Sequence, residues 1–303
     1  MSKAYDLTII GSGPAGLSAA IYASRYNLKT LALGMNEGGT ITDAHKVCNF
    51  PSQPEINGAV LGEKMKKHAE KYGAEVEMGL VDNIEEKEGG FSLTTNLEEE
   101  YFSKKIILAT GTERRKLGLD REDEFLGSGV SYCATCDGKF FEDQIVGVVG
   151  GANAAATAAL YLADMAKKVY IIYRGDKLKA VDAWKKEIEK AKNIEVIYNA
   201  NVVDLSGKDS LESVNLDNGD SLDIQGLFIE IGSVPKTDLA EELGVKLKDG
   251  YIKVDSSQKT NLDSVWAAGD ITTNSDRFKQ AITASAEGAI AANSIHEDIK
   301  SSN

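Results

Sequence analysis

The sequence predicts an α/β protein built from two related dinucleotide-type domains, and three observations carry that prediction. An apolar strand runs directly into Gly11-Ser12-Gly13-Pro14-Ala15-Gly16 and then into a helical pattern. The same plan returns at Gly150-Gly151-Ala152-Asn153-Ala154-Ala155, and the two segments align without a gap, Ala20 with Ala159, Tyr22 with Tyr161 and Lys29 with Lys168. Far downstream, a third apolar strand ends in Gly269-Asp270. A lone G-x-G-x-x-G says little. Placed after a strand and before a helix, it marks a turn that can bind a pyrophosphate.

In chain order, Tyr5–Ile10 reads as a buried strand, Leu17 to about Tyr26 as a helix and Lys29–Leu33 as the next strand. Residues 75–110 read as a small antiparallel meander, from the alternation Phe91-Ser92-Leu93-Thr94 and the turn Gly89-Gly90. Gln144–Val149, a helix to about Ala166 and Lys168–Tyr173 repeat the opening unit. Asp217-Asn218-Gly219 between alternating runs is a hairpin signal. Val265–Asp270 reads as strand and turn, followed by an Ala-rich helix from about Gln280 to His296.

Composition narrows the class. A chain of 303 residues, 42% apolar and 27% charged, can bury two cores. It has no apolar run long enough to span a bilayer and no signal-type segment before the first strand, which predicts a cytoplasmic protein. The net charge of −13 argues against nucleic acid and anionic membranes as partners. Two lysine clusters, Lys64/Lys66/Lys67/Lys71 and Lys185/Lys186/Lys190/Lys192, read as solvated helix faces that could also meet an acidic protein.

The densest chemical signal is Cys133-Ala134-Thr135-Cys136-Asp137. A Cys-x-x-Cys pair can open and close as one disulfide, and the arrangement lowers a thiol's pKa. The competing reading is half of a zinc site. It fails because the only other cysteine is Cys48 and no Cys/His pair stands at ligand spacing, so no metal is expected. Cys48 itself reads as an inert, partly buried thiol.

The three glycines of the first turn serve different ends. Gly11 permits the tight turn, Gly13 lets backbone approach a pyrophosphate and Gly16 lets helix pack on strand. Together with Gly38-Gly39, Ala109-Thr110-Gly111, Ser131-Tyr132-Cys133-Ala134-Thr135-Cys136-Asp137 and Ala267-Ala268-Gly269-Asp270, all in order, the chain resembles the low-molecular-weight flavin thioredoxin reductases along essentially its whole length. The resemblance implies two Rossmann-like, three-layer ββα domains, the second inserted in the first. The FAD domain takes residues 1–113 and 236–303, and the redox-disulfide domain residues 114–235.

The resemblance further implies FAD in the first site, held by Gly11, Gly13, Pro14, Ala15, Gly16, Gly38, Gly39, Thr110, Gly111 and Gly269. Asn49, Gln280 and Ala281 would lie near the isoalloxazine and Asp270 at the ribityl-phosphate part. A loop-capping role for Asn49 stays open. By the same resemblance Cys136 is the flavin-proximal sulfur, Cys133 attacks thioredoxin, and Asp137 is the general acid, for which its pKa must be raised. Asp137 as a turn or N-cap residue before Gly138 is the alternative.

The second turn departs from the family pattern. Ala152 replaces the middle glycine and Ala154 a Ser or Thr, and Thr157-Ala158-Ala159 stands where an acidic pair is usual. The His-Arg-Arg-x-x-x-Arg that reads the NADPH 2′-phosphate is here Tyr173-Arg174-Gly175-Asp176-Lys177-Leu178-Lys179. The chain therefore resembles the ferredoxin-dependent branch, which implies reduced ferredoxin as donor, thioredoxin as acceptor and a homodimer. Two alternatives stand beside this: the same reductase driven by NADPH or NADH, with Arg174 and Lys179 surviving, and a flavin-disulfide redox sensor that turns over poorly.

Overall fold

The computed structural model of the chain describes residues 3–44 and 46–302. It divides into two compact units, residues 1–113 with 235–303, and residues 114–234. The chain crosses between them on Thr112–Arg114 and Ser233–Pro235, which pair as a two-stranded sheet. On the first unit's side Lys236 N–H donates to the Gly111 carbonyl at 3.0 Å.

In the first unit Lys3–Ile10 is the central strand, parallel to Thr30–Leu33 on one side and to Glu100–Leu108 on the other, with Ile10 opposite both Leu33 and Leu108. Val265–Ala267 adds to Glu100–Leu108 in parallel, Trp266 opposite Ile107. Parallel strands buried on both faces need apolar residues at nearly every position. Leu7, Ile9, Ile107 and Trp266 accordingly face the helices Pro14–Arg25 and Ala281–Ser302, whereas Leu31, Leu33, Ile106 and Leu108 face the meander. The two helices touch at backbone distance, because a Cβ on Gly288 would sit 2.0 Å from the Ala15 carbonyl oxygen.

Two details differ from expectation. Glu75–Glu77 is not part of the antiparallel meander, which comprises Val81–Lys87, Gly90–Thr95 and Glu100–Leu108. It follows the helix Gly58–Lys71 and returns parallel to Thr30–Leu33, as a strand–helix–strand crossover does. The first helix begins at Pro14 rather than Leu17, since proline is tolerated at the first helical position where its missing N–H is not needed.

The second unit repeats the plan. Its parallel sheet runs in the order Ile194–Tyr198, Lys168–Tyr173, Ile145–Val149, Gly226–Ile229, Val130–Ser131. The helix Asn153–Ala163 packs Ala155, Ala159 and Leu162 on Val146, Val148 and Ile171. The predicted Asp217–Gly219 turn joins Leu211–Leu216 to Ser221–Asp223, and Gly219 supplies the positive φ of +92°.

Candidate functional site

The first unit holds a cleft of about 690 Å³ above the carboxyl ends of its parallel strands, the place where open α/β sheets bind ligands. Gly11, Gly13, Pro14, Ala15, Gly39, Asn49, Thr110, Gly111, Gly269, Asp270, Gln280 and Ala281 all line it. Gly16 and Gly38 do not, and packing explains both glycines. A Cβ on Gly16 would sit 1.8 Å from the Gly11 carbonyl oxygen, and one on Gly38 2.9 Å from Gly62 Cα.

Gly13 is different, and it tests whether the cleft fits a dinucleotide. A Cβ there would meet only Gly38 O and Gly39 Cα, both at 3.8 Å, an ordinary contact. Packing within the protein does not require a glycine at this position. A ligand backed against the chain does. Gly13 is also the N-cap of the helix Pro14–Arg25 and no side chain caps that end, so its first N–H groups are available to phosphate oxygens.

At the far end of the cleft, Asn49 Nδ2 donates to Gln280 Oε1 at 2.7 Å. Two side chains far apart in sequence thus form one polar pair. Burial pushes the Asp270 carboxyl above the usual carboxylate range; the Lys279 charge opposes this and Glu287 adds to it. A carboxyl that holds its proton more tightly is less costly beside an anionic ligand.

The sequence reading missed what fixes this turn. Glu287, buried in the last helix, accepts from Gly269 N–H at 2.8 Å, Thr272 Oγ1 at 2.7 Å and Ser275 Oγ at 2.5 Å. A lone acid among Ala284, Gly288, Ala291 and Ala292 was the available signal.

In the second unit Cys133 and Cys136 form a disulfide at the start of the short helix Ala134–Asp137. Cys133 Sγ accepts the Cys136 N–H at 3.2 Å and lies 3.4 Å from Thr135 Oγ1. Donors aimed at that sulfur stabilise it as a thiolate once the bond opens. Cys133 is half-buried and Cys136 exposed. Asp137 stands at the N-cap of the 3₁₀ turn Gly138–Phe141, but its side chain makes no capping bond there. Its carboxylate accepts from Ser131 Oγ at 2.7 Å, and Ser131 Oγ in turn accepts the Cys133 N–H at 3.0 Å. A buried serine therefore ties the acid to the backbone of the redox pair. Cys48 is exposed rather than partly buried, since it lies in the irregular segment between Val47 and Phe50.

The second glycine turn has the backbone of the first with different contents. Ala152, the N-cap of Asn153–Ala163, has φ −99° and ψ −172°, against −80° and −174° at Gly13. The methyl of Ala152 therefore projects where the first turn is bare.

A dinucleotide cleft, a second turn of the same descent and a redox disulfide together define a pyridine-nucleotide-type disulfide oxidoreductase. The chain belongs to the pyridine nucleotide-disulphide oxidoreductase family, whose model matches residues 5–288. It is 40% identical over 306 residues to the thioredoxin reductase of Peptoclostridium acidaminophilum, with 96% of each chain covered. Among solved structures, the Lactococcus lactis thioredoxin reductase superposes with a TM-score of 0.93 at 34% identity, covering 98% of this chain and 99% of that one. A ferredoxin-flavin thioredoxin reductase from Clostridium acetobutylicum is equally similar in sequence, at 34%, and covers 99% of this chain and 100% of its own. Its TM-score is 0.55. The thioredoxin reductases of this family are FAD flavoproteins, and FAD is the cofactor here. No helix among the described residues is long and apolar enough to cross a membrane.

Proposed function

We propose that this protein reduces the disulfide of thioredoxin through FAD and the Cys133–Cys136 pair, with reduced ferredoxin as electron donor. The observation that carries the donor assignment is the contrast between two turns of matched backbone, one open at Gly13 and the other filled at Ala152.

Once reduced by the donor, a bound flavin would supply the two electrons needed to open the Cys133–Cys136 bond. Gly11, Gly13 and the bare N-terminus of Pro14–Arg25 would hold its pyrophosphate, and the Asn49–Gln280 pair would border its ring. Cleavage takes up two protons and leaves two thiols. Asp137, oriented by Ser131, delivers one of them to a departing sulfur. Cys133, as thiolate, then attacks thioredoxin's disulfide. Cys136 displaces the mixed disulfide, which restores the internal bond and releases reduced thioredoxin. Phe140, 77% exposed and four residues beyond Cys136, offers an apolar contact for that protein substrate.

The donor is read by mixing the oxidised protein with NADPH, NADH or reduced ferredoxin and following flavin absorbance in a stopped-flow cell. Ferredoxin should bleach it, and thioredoxin should then be turned over. Rapid bleaching by a pyridine nucleotide would overturn the assignment and favour the second reading, which the exposed Arg174 and Lys179 support as remaining phosphate contacts.

A further inference from the structure

The stretch that leads into the redox pair holds a buried charge that the disulfide chemistry above does not use. Glu122, 3% exposed, lies in the loop between Thr112–Arg114 and Val130–Ser131. Its carboxylate closes that loop by accepting from Leu117 N–H at 2.9 Å, Gly118 N–H at 2.7 Å and Leu119 N–H at 3.3 Å. Three such donors favour the ionised form of a buried carboxyl. Glu122 accepts one more hydrogen bond, from the Tyr132 hydroxyl ten residues further on.

Tyr132 is the residue before Cys133. Its ring, half-buried, packs against the cluster that contains Phe125, Val130 and Leu227. Burial, and then the bond to Glu122, push the phenol well above its ordinary pKa, so it stays a proton donor at working pH. Ser131, one residue earlier, is held by its register opposite Phe228 and by its bond to Asp137. Cys133 therefore leaves a backbone fastened at both preceding residues. Its sulfur reaches the Cys136 N–H at 3.2 Å and Thr135 Oγ1 at 3.4 Å, the groups that favour its thiolate. The phenol is not needed to close the loop, which three N–H groups already do. What it adds is a tie to the residue beside the sulfur.

We propose that Tyr132 and Glu122 are positioning residues for the redox pair: the phenol–carboxylate bond holds the Tyr132–Cys133 peptide so that Cys133 Sγ stays within reach of the groups that stabilise it as a thiolate. The proposal rests on Cys133 being the sulfur that attacks thioredoxin. In that attack the Cys133 thiolate bonds to one thioredoxin sulfur, and the electron pair of the broken bond leaves on the other. Tyr132 and Glu122 act on the step through the backbone alone.

The test uses full-length, FAD-loaded protein carrying Cys136→Ser, in which Cys133 is a free thiol. Iodoacetamide alkylation is followed across a pH series by mass spectrometry of the Cys133 peptide, with the exposed Cys48 as internal reference. Tyr132→Phe keeps the ring and removes only the hydroxyl. It should raise the midpoint of the Cys133 profile by about half to one pH unit, so that alkylation below the midpoint slows about three- to tenfold. Flavin content and Cys48 should be unchanged. Glu122→Gln should act in the same direction when Tyr132 is present and add nothing once Tyr132→Phe is in place; if it does not fold, Tyr132→Phe alone decides. A Tyr132→Phe midpoint equal to or below that of its parent would overturn the proposal even if the variant melts lower, since a purely structural bond changes stability and not the thiol. So would an equal effect of Glu122→Gln in both backgrounds, which is the carboxylate charge acting directly. Neither result moves the attacking sulfur. A parent Cys133 whose midpoint is no lower than that of Cys48 would overturn that assignment as well.

Discussion

Truncating Glu287 to alanine isolates the part played by the Gly269–Asp270 turn. The carboxylate is buried at 4% exposure and accepts hydrogen bonds from Gly269, Thr272 and Ser275. Ser275 is half-buried and can turn to water, and Thr272 keeps a second contact with the Gly269 carbonyl at 3.1 Å. The Gly269 N–H has no such replacement, and a stranded buried donor costs about 1–3 kcal/mol. Losing the charge-assisted bond from Thr272 brings the total to roughly 3–5 kcal/mol. If about 1.4–2.8 kcal/mol of that is felt at the cleft, FAD binding weakens about 10- to 100-fold. Glu287→Gln keeps an acceptor for Gly269 and should cost about 1 kcal/mol. Flavin fluorescence quenching on FAD titration of the apoprotein gives the affinity, and urea unfolding gives the stability. An alanine variant that is less stable but binds FAD normally would show that the turn is scaffold only. One normal in both would refute the buried network.

Four further outcomes follow from the geometry. Gly13→Val should lose FAD affinity while apoprotein stability changes little, whereas Gly16→Ala should destabilise the apoprotein because its Cβ meets backbone at 1.8 Å; urea melts with and without FAD separate the two. Cys133→Ser and Cys136→Ser should each retain flavin and lose turnover, and only Cys136→Ser should trap thioredoxin as a mixed disulfide on a non-reducing gel. Asp137→Asn should slow single-turnover disulfide reduction by about 10²–10⁴-fold with FAD binding unchanged; an unchanged rate would leave Asp137 as a mere tether for Ser131. The hydrogen bond from Lys105, at 2.6 Å, holds the Asp298 carboxyl below its usual pKa, with burial opposing and Lys259 assisting. The stabilisation is therefore complete above the unfolded value, about 3.9, and is lost as pH falls through the lower folded value. Asp298→Asn should cost about 0.5–1 kcal/mol at pH 7, and the gap to wild type in urea melts should narrow at acid pH.

The parts of the molecule legible in the sequence were those set by backbone sterics and by periodicity. Gly11 had to be glycine because its φ is +121° and a Cβ would sit 2.1 Å from the Ala109 carbonyl oxygen, and the run Leu7–Ile10 is apolar except at Thr8 because its strand is covered on both faces. The illegible parts depend on which distant side chains meet. Glu287 reads as a helix-surface acid until Gly269 is known to lie beneath it. Nothing local to Tyr173 shows that its ring lies on Gly151, and Ser131 gives no hint of Asp137. Glu75–Glu77 pairs with Thr30–Leu33 rather than with the meander, and its three residues carry too little alternation to tell a parallel edge from a hairpin arm.

The interruption of the first unit also sets an order of events at the ribosome. Residues 114–234 form a continuous piece and have everything their own core needs as soon as they emerge. Residues 1–113 do not, since Trp266 and the helix Ala281–Ser302, which cover Leu7, Ile9 and Ile107, are made last. The amino-terminal half-sheet therefore waits with an apolar face covered only in part, by Pro14–Arg25, while the insert folds, a state open to chaperones and to aggregation. Nascent chains stalled near residue 275, with the whole insert clear of the exit tunnel, should show a protease-resistant insert beside a cleavable amino-terminal segment.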